Sequence, residues 1–289
     1  MESFDRKIGI SLPQYPPIQF VHRRSTADPD SFQLHLNDYV EIYVYVSGDA
    51  GYIVEDRYLP LSPGDILLIS PHTVHVPRLR CRCDYERFYL LIPLEIAADP
   101  AFSPLSRHLT FDPALSPKLS LSDAARREIL GLLRRISDCA AKEPGDAISL
   151  SCAGLFLQML GLAAAEESSP APKPPLPESA GVPRLVLDIL RYISEKPQEI
   201  GSVGDIAQHF FISLPYLSTL FHHHVGVSPG TYLRVKKIAL AKKLLEAGHS
   251  VADACYACGF SDSSHFIRVF RQYADMTPGQ YRSLRQKYR

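Results

Sequence analysis

Two stretches near the C-terminal end of this chain carry one pattern. Ser202-Val203-Gly204-Asp205-Ile206-Ala207 is answered by Ser250-Val251-Ala252-Asp253-Ala254-Cys255. Each opens with Ser-x-x-Asp, where the hydroxyl can accept an N–H of the first helical turn and the carboxylate can reach back. A further serine in each copy, Ser213 and Ser261, is expected to cap a following helix. Beyond the turn the copies run on in parallel: Tyr216 matches His265, Leu217 matches Phe266 and Phe221 matches Phe270. The tails Val227-Ser228-Pro229-Gly230-x-Tyr232 and Met276-Thr277-Pro278-Gly279-x-Tyr281 agree as well. A short helix, a tight turn and a second helix, written twice, restricts this part to an all-helical domain with two similar halves.

Charge separates the same region from the rest. Over the 289 residues the net charge is zero, but from Val182 onward fourteen cations face eight acids. The helical part is therefore basic and the remainder acidic, which points to a polyanion partner for the basic half. The first residues contain no apolar signal core, and no run is read as a membrane span. Six cysteines without a regular framework fit a reducing cytoplasm.

Before the basic half, residues 18–95 read as short strands separated by turns such as Ser47-Gly48-Asp49-Ala50-Gly51 and Ser62-Pro63-Gly64-Asp65, the pattern of an antiparallel barrel. Two helices follow within 122–165. The first shows one apolar face at Ile129, Leu132, Leu133 and Ile136. The second is apolar on most sides and must be covered, by the barrel or by a second copy of the chain. A proline-dense stretch at 168–183 reads as a stiff linker. The expected organisation is a two-domain α+β protein: an N-terminal domain at 1–167, the linker, and an all-α double helix-turn-helix domain at 184–289.

Ile206-Ala207, Tyr216-Leu217-Ser218, Leu220-Phe221, Gly259-Phe260-Ser261-Asp262, Phe266-x-x-Val269-Phe270-Arg271 and Thr277-Pro278-x-x-Tyr281-Arg282 together resemble the DNA-binding region of the AraC/XylS family of transcription regulators. The resemblance implies two recognition helices set into successive major grooves of double-stranded DNA. It maps base-reading positions onto Pro215, Ser218 and Thr219, and onto Ser263, Ser264, His265 and Arg268, with His222 near phosphates. Arg268 is the candidate for a bidentate guanine contact. Thr219 stands where the family often has arginine, which weakens readout by the first helix. Lys236, Lys237, Lys242, Lys243, Arg271 and Arg282 are expected to meet the DNA backbone. Cys255-x-x-Cys258 has no second pair nearby and reads as buried packing.

His35-x-Asn37-Asp38-Tyr39-x-Glu41-Ile42, Gly48, Pro63-Gly64-Asp65 and Pro71-x-x-x-His75 resemble the cupin-like sensing domain that precedes this DNA-binding unit in many sugar-responsive regulators. Its implied effector residues are His35, Glu41, Tyr43 and His75, and its effector a small molecule, carbohydrate included. Metal cupins carry a second histidine where this chain has Asn37, so neither a metal nor another cofactor is expected. Arg87 reads as one side of a structural ion pair, and Cys81-x-Cys83 is assigned no role. The resemblance further implies a homodimer, contact with RNA polymerase, no membrane, no catalytic residues, and an activator more than a repressor. Two other readings remain at this point: a metal-dependent cupin enzyme with an appended DNA-binding domain, and an architectural DNA-bending protein.

Overall fold

The computed structural model describes residues 3–99, 117–119, 121–142, 145–167 and 182–286. All of the linker read at 168–183 except Val182 and Pro183 lies outside them. The N-terminal domain is built on two antiparallel sheets. Five strands, β1 (Phe4–Ile10), β2 (Ile18–Ala27), β3 (Val40–Ser47), β6 (Ile66–Ile69) and β8 (Cys83–Ile92), run in the order β1-β2-β8-β3-β6. Three more, β4 (Ala50–Val54), β5 (Arg57–Pro60) and β7 (His75–Leu79), run in the order β5-β4-β7.

Strand alternation gives the larger sheet two different faces. Val40, Ile42 and Val44 join Phe88, Leu90 and Ile92 in a core shared with helices. The residues between them, Tyr43 and Tyr45, join Tyr52, Leu67, Ile69 and Tyr85 in a second core between the sheets. Glu41 therefore points inward with Tyr43, a choice that period-two spacing leaves open. The short helix α1 (Leu94–Ala97) follows β8. Helix α2 (Asp123–Cys139) is capped by Ser122, whose hydroxyl accepts the Ala125 N–H, and buries Ile129, Leu132, Leu133 and Ile136 against the sheet. Helix α3 (Asp146–Glu167) adds Cys152, Phe156, Met159 and Leu160 to that core. It leaves Leu150 75% and Leu157 45% exposed. By length and hydropathy Ala147–Ala165 is apolar enough to cross a membrane, which corrects the expectation that no stretch is. One of its faces packs into the barrel core.

The C-terminal domain consists of α4 (Arg184–Glu195), α5 (Val203–His209), α6 (Leu214–Val225), α7 (Pro229–Glu246), α8 (Val251–Ala257), α9 (Ser263–Ala274) and α10 (Pro278–Gln286). Ser202 and Asp205 close a reciprocal capping box on α5. Ser250 accepts the Asp253 N–H on α8. Helix α9 departs from the expectation: Asp262 is its cap and not Ser261, accepting the N–H groups of Ser264 and His265. A carboxylate in the β conformation at that position reaches two orphan donors at once. Phe266, Phe270 and Tyr281 gather with the fully buried Cys255 and Cys258 in the core of the second unit. The core of the first unit, built on Val186, Ile189, Leu190, Ile206 and Ala207, runs on into the N-terminal domain. Leu217, Phe221, Val225 and Tyr232 cluster with Ile53, Tyr58, Val74 and Val76 of the barrel.

Candidate nucleic-acid interface and effector site

Helix α6 turns Leu217 and Phe221 inward and leaves Pro215, Thr219 and His222 exposed, with Ser218 half-buried. Helix α9 turns Phe266, Val269 and Phe270 inward and exposes Ser263, Ser264, His265, Arg268 and Arg271. Arg268 and Arg271 border a surface groove with Ser264, Ile267, Gln272 and Thr277. The two tips differ chemically. Phe211, Leu214 and Tyr216 make the first one apolar and exposed, while Ser263, Ser264 and His265 make the second polar. Between the two helices runs α7, 18 residues long and hence about 27 Å, close to the roughly 34 Å between major grooves one turn apart.

The lysines of α7 are not where the sequence reading puts them. Lys236 is buried and its Nζ is bonded to Glu55 of the barrel. Lys237 is buried over the Phe260 ring and donates to the Gly259 carbonyl at 3.0 Å. Lys242 is 3% exposed and donates to Asp38 Oδ1 at 2.8 Å. A central helix wrapped on most sides has little solvent face, so these long side chains serve the packing. Lys243 and Arg234 remain exposed on α7.

Two carboxylates of the barrel organise this junction. Glu55 lies in the turn between β4 and β5 at φ 56°, a left-handed conformation unusual for a side chain of this size. Its Oε1 accepts the Val74 N–H at 2.9 Å, its Oε2 meets Lys236, and its carbonyl accepts the Tyr232 hydroxyl at 2.9 Å. Asp38 meets Lys242, lies 3.2 Å from His72 Nδ1, and lies 3.4 Å from Arg285. His72 Nε2 in turn lies 3.0 Å from Glu246 at the end of α7. Burial disfavours a charged His72, but the Asp38 and Glu246 carboxylates outweigh it and raise its pKa above the usual histidine value. Arg78 of β7 donates to the His223 carbonyl at 3.0 Å and so caps the last turn of α6 from the other domain.

Between the sheets, His75 Nε2 lies 3.2 Å from Glu41 Oε2, and Asn37 donates to the same oxygen at 2.9 Å. Burial alone would raise the Glu41 pKa, yet His75 beside it holds the carboxyl below its ordinary value. The His35 and His75 rings are 4.3 Å apart. Each turns Nδ1 to a main-chain carbonyl, Gln33 at 3.0 Å and Thr73 at 2.8 Å, so that His75 meets Glu41 through Nε2. The three residues offer ligand atoms within 4.8 Å of one another. Two imidazoles and a carboxylate are a set that a divalent transition metal accepts, and His35, Glu41 and His75 are the residues that would hold one. Glu41 is equally satisfied by His75 and Asn37. Tyr43 is buried with its hydroxyl on that of Tyr85.

The helix-turn-helix domain model matches residues 206–283, and the AraC-like ligand binding domain model matches residues 17–158. The chain belongs to the AraC family. It is a DNA-binding transcription regulator with a ligand-binding domain. Among its relatives is an uncharacterized HTH-type transcriptional regulator, YfiF, of Bacillus subtilis, 26% identical over 87% of this chain and 79% of that one. The melibiose operon regulatory protein of Escherichia coli is 23% identical over 88% and 85%. The HTH-type transcriptional activator RhaR of Pectobacterium atrosepticum is 25% identical over 87% and 86%.

Within this AraC-family chain the structure brings His35, Glu41 and His75 together and places Tyr43 in the same inter-sheet layer. It sets the α6 and α9 residues on exposed faces. Lys236 and Lys237 it removes from the surface. The residues that sequence reasoning missed are Glu55, His72, Arg78 and Glu246. Asp38 stands inside the quoted motif, so its place was legible, but nothing local identifies its partners.

Proposed function

We propose that this regulator reads double-stranded DNA through α6 and α9 and answers to a small molecule held in the N-terminal barrel. The base readers are Pro215, Ser218 and Thr219 in the first unit and Ser263, Ser264, His265 and Arg268 in the second, with His222 and Arg271 at phosphates. His35, Glu41, Tyr43 and His75 hold the effector, a sugar or a related molecule. The protein acts in the cytoplasm as a homodimer, with the exposed Leu150 and Leu157 stripe of α3 as its seam, and as an activator that contacts RNA polymerase. Residues 1–167 sense, 168–183 link and 184–289 bind DNA.

The observation that carries this reading is the junction itself. The rod between the two DNA-reading helices is bonded through Lys236 and Lys242 to Glu55 and Asp38 of the barrel. A ligand with unequal affinity for the docked and undocked arrangements therefore shifts how α6 and α9 are presented. Binding to a panel of single-base operator variants tests the readers. Arg268→Ala should cost about 1–3 kcal/mol on the preferred sequence and flatten preference at one position. Unchanged preference at every position removes Arg268 from the readers.

A further inference from the structure

Strand β8 sets Arg87 on the face that looks across to the smaller sheet. Its partners in register are Tyr45 on β3 and Arg23 on β2, and Tyr85, two residues back on the same face, belongs to the inter-sheet core. The residue is 6% exposed. Its Cζ lies 5.0 Å from the centre of the Phe32 ring and 4.6 Å from that of Tyr85. Nη1 is buried without a hydrogen-bond partner. The ion pair expected from the sequence is missing: among the described residues no carboxylate meets this guanidinium.

The neighbouring charges are already matched. Glu41 is held by His75 and Asn37, and Arg23 by Asp5. Glu86, next in the chain, points to the opposite face and meets His22 and Arg24. Among the described residues the Arg87 charge is thus left over between the sheets. A guanidinium does not shed its proton at physiological pH. Buried without a counter-charge it is costly, and aromatic faces return only part of that cost.

We propose that Arg87 anchors a small organic carboxylate between the two sheets, and that this carboxylate is the effector. Its charged end meets the guanidinium while its body lies against Tyr43, Tyr52 and Tyr85. Tyr52 belongs to that layer, its ring centre 4.6 Å from that of Tyr43 and 6.2 Å from that of His75. A carboxylate matches one free guanidinium in charge and in its two-pronged geometry. A phosphate dianion would bring a second negative charge toward Glu41 with no second unmatched cation among the described residues between the sheets, and a neutral sugar would leave Arg87 uncompensated. Phe32, in the stretch between β2 and β3, covers the guanidinium and has to swing aside for entry. The inference rests on the reading of the barrel as the effector site.

The test uses the full chain. Its melting temperature is followed at constant ionic strength with acetate, D-glucuronate, D-galacturonate and phenylacetate in place of chloride. D-Glucose, D-galactose and 2-phenylethanol serve as neutral counterparts. At least one carboxylate should raise the melting temperature by about 3–6 °C at roughly ten times its Kd, and its neutral counterpart should not. Arg87→Met should abolish the shift, and Arg87→Lys should keep part of it. In chloride alone Arg87→Met should melt at or above wild type, because it removes an unmatched charge. The proposal fails if none of the carboxylates shifts the wild type, or if neutral counterparts act equally. It fails also if Arg87→Met melts well below wild type while Arg87→Lys does not, since the guanidinium would then be structural. A carboxylate that binds through Arg87 yet leaves DNA affinity unchanged supports the anion site and overturns the effector reading instead.

Discussion

Gly259 and Phe211 occupy matching turns and take the same left-handed backbone, at φ 74° and 54°. Their surroundings differ. A Cβ on Gly259 would lie 2.3 Å from the main-chain oxygen of Gln198, whereas Phe211 is 96% exposed and has room for its side chain. Gly259→Ala should therefore lower stability by more than about 1 kcal/mol, through backbone strain and a clash with main chain that cannot turn away. Phe211→Gly should be neutral or mildly stabilising, since it relieves the strain and removes no packing. Thermal melts of the two variants check both outcomes. The need for a turn at each place is legible in the sequence. Which turn tolerates a side chain is not, because Gln198 approaches Gly259 from 61 positions earlier in the chain.

Among the elements, α7 is the one whose role changed most between sequence and structure. As a lysine-rich rod it resembles a phosphate-contacting surface; in the fold, Lys236 and Lys242 are buried against Glu55 and Asp38. Lys236→Met should leave the salt dependence of DNA binding unaltered but destabilise the domain junction by about 3–5 kcal/mol, because Glu55 is left buried without its partner. The double change Lys236→Met with Glu55→Gln should recover much of that loss. Exposed Lys243 behaves oppositely: Lys243→Ala should reduce the slope of log K against log salt by about one and leave stability unchanged. Salt titrations of operator affinity, together with denaturant melts, separate the two classes. A slope that falls with Lys236→Met returns that lysine to the DNA.

At the scale of the whole molecule, His72 is the group through which pH reaches the junction. It is 4% exposed and lies between Asp38 of its own domain and Glu246 of the other. Lys242, Arg285 and Tyr281 stand in the same cluster. Its pKa is raised from 6.5 in the fold, so its contribution is fully present below that value and is lost as pH rises through the raised one. Asp38 and Glu246 are shifted down, so theirs is lost only in acid. Docking should be tightest in mildly acidic solution and loosen toward pH 9. Hydrogen exchange of α7 and of the Val74 amide, corrected for intrinsic exchange, should show that trend, and His72→Gln should abolish it. The sequence alone determined what depends on neighbours a few residues away: the caps at Ser202, Ser213 and Ser250, the apolar faces of α6 and α9, the alternation of β3, and hence the two-domain α+β plan. Only the tertiary structure decided which charges meet. Lys236 and Glu55 are 181 positions apart and Lys242 and Asp38 are 204. Whether a cation faces phosphate, carboxylate or aromatic rings, as Arg87 does, is set by how distant segments dock, and a Coulomb partner leaves no periodicity in the chain that has to find it.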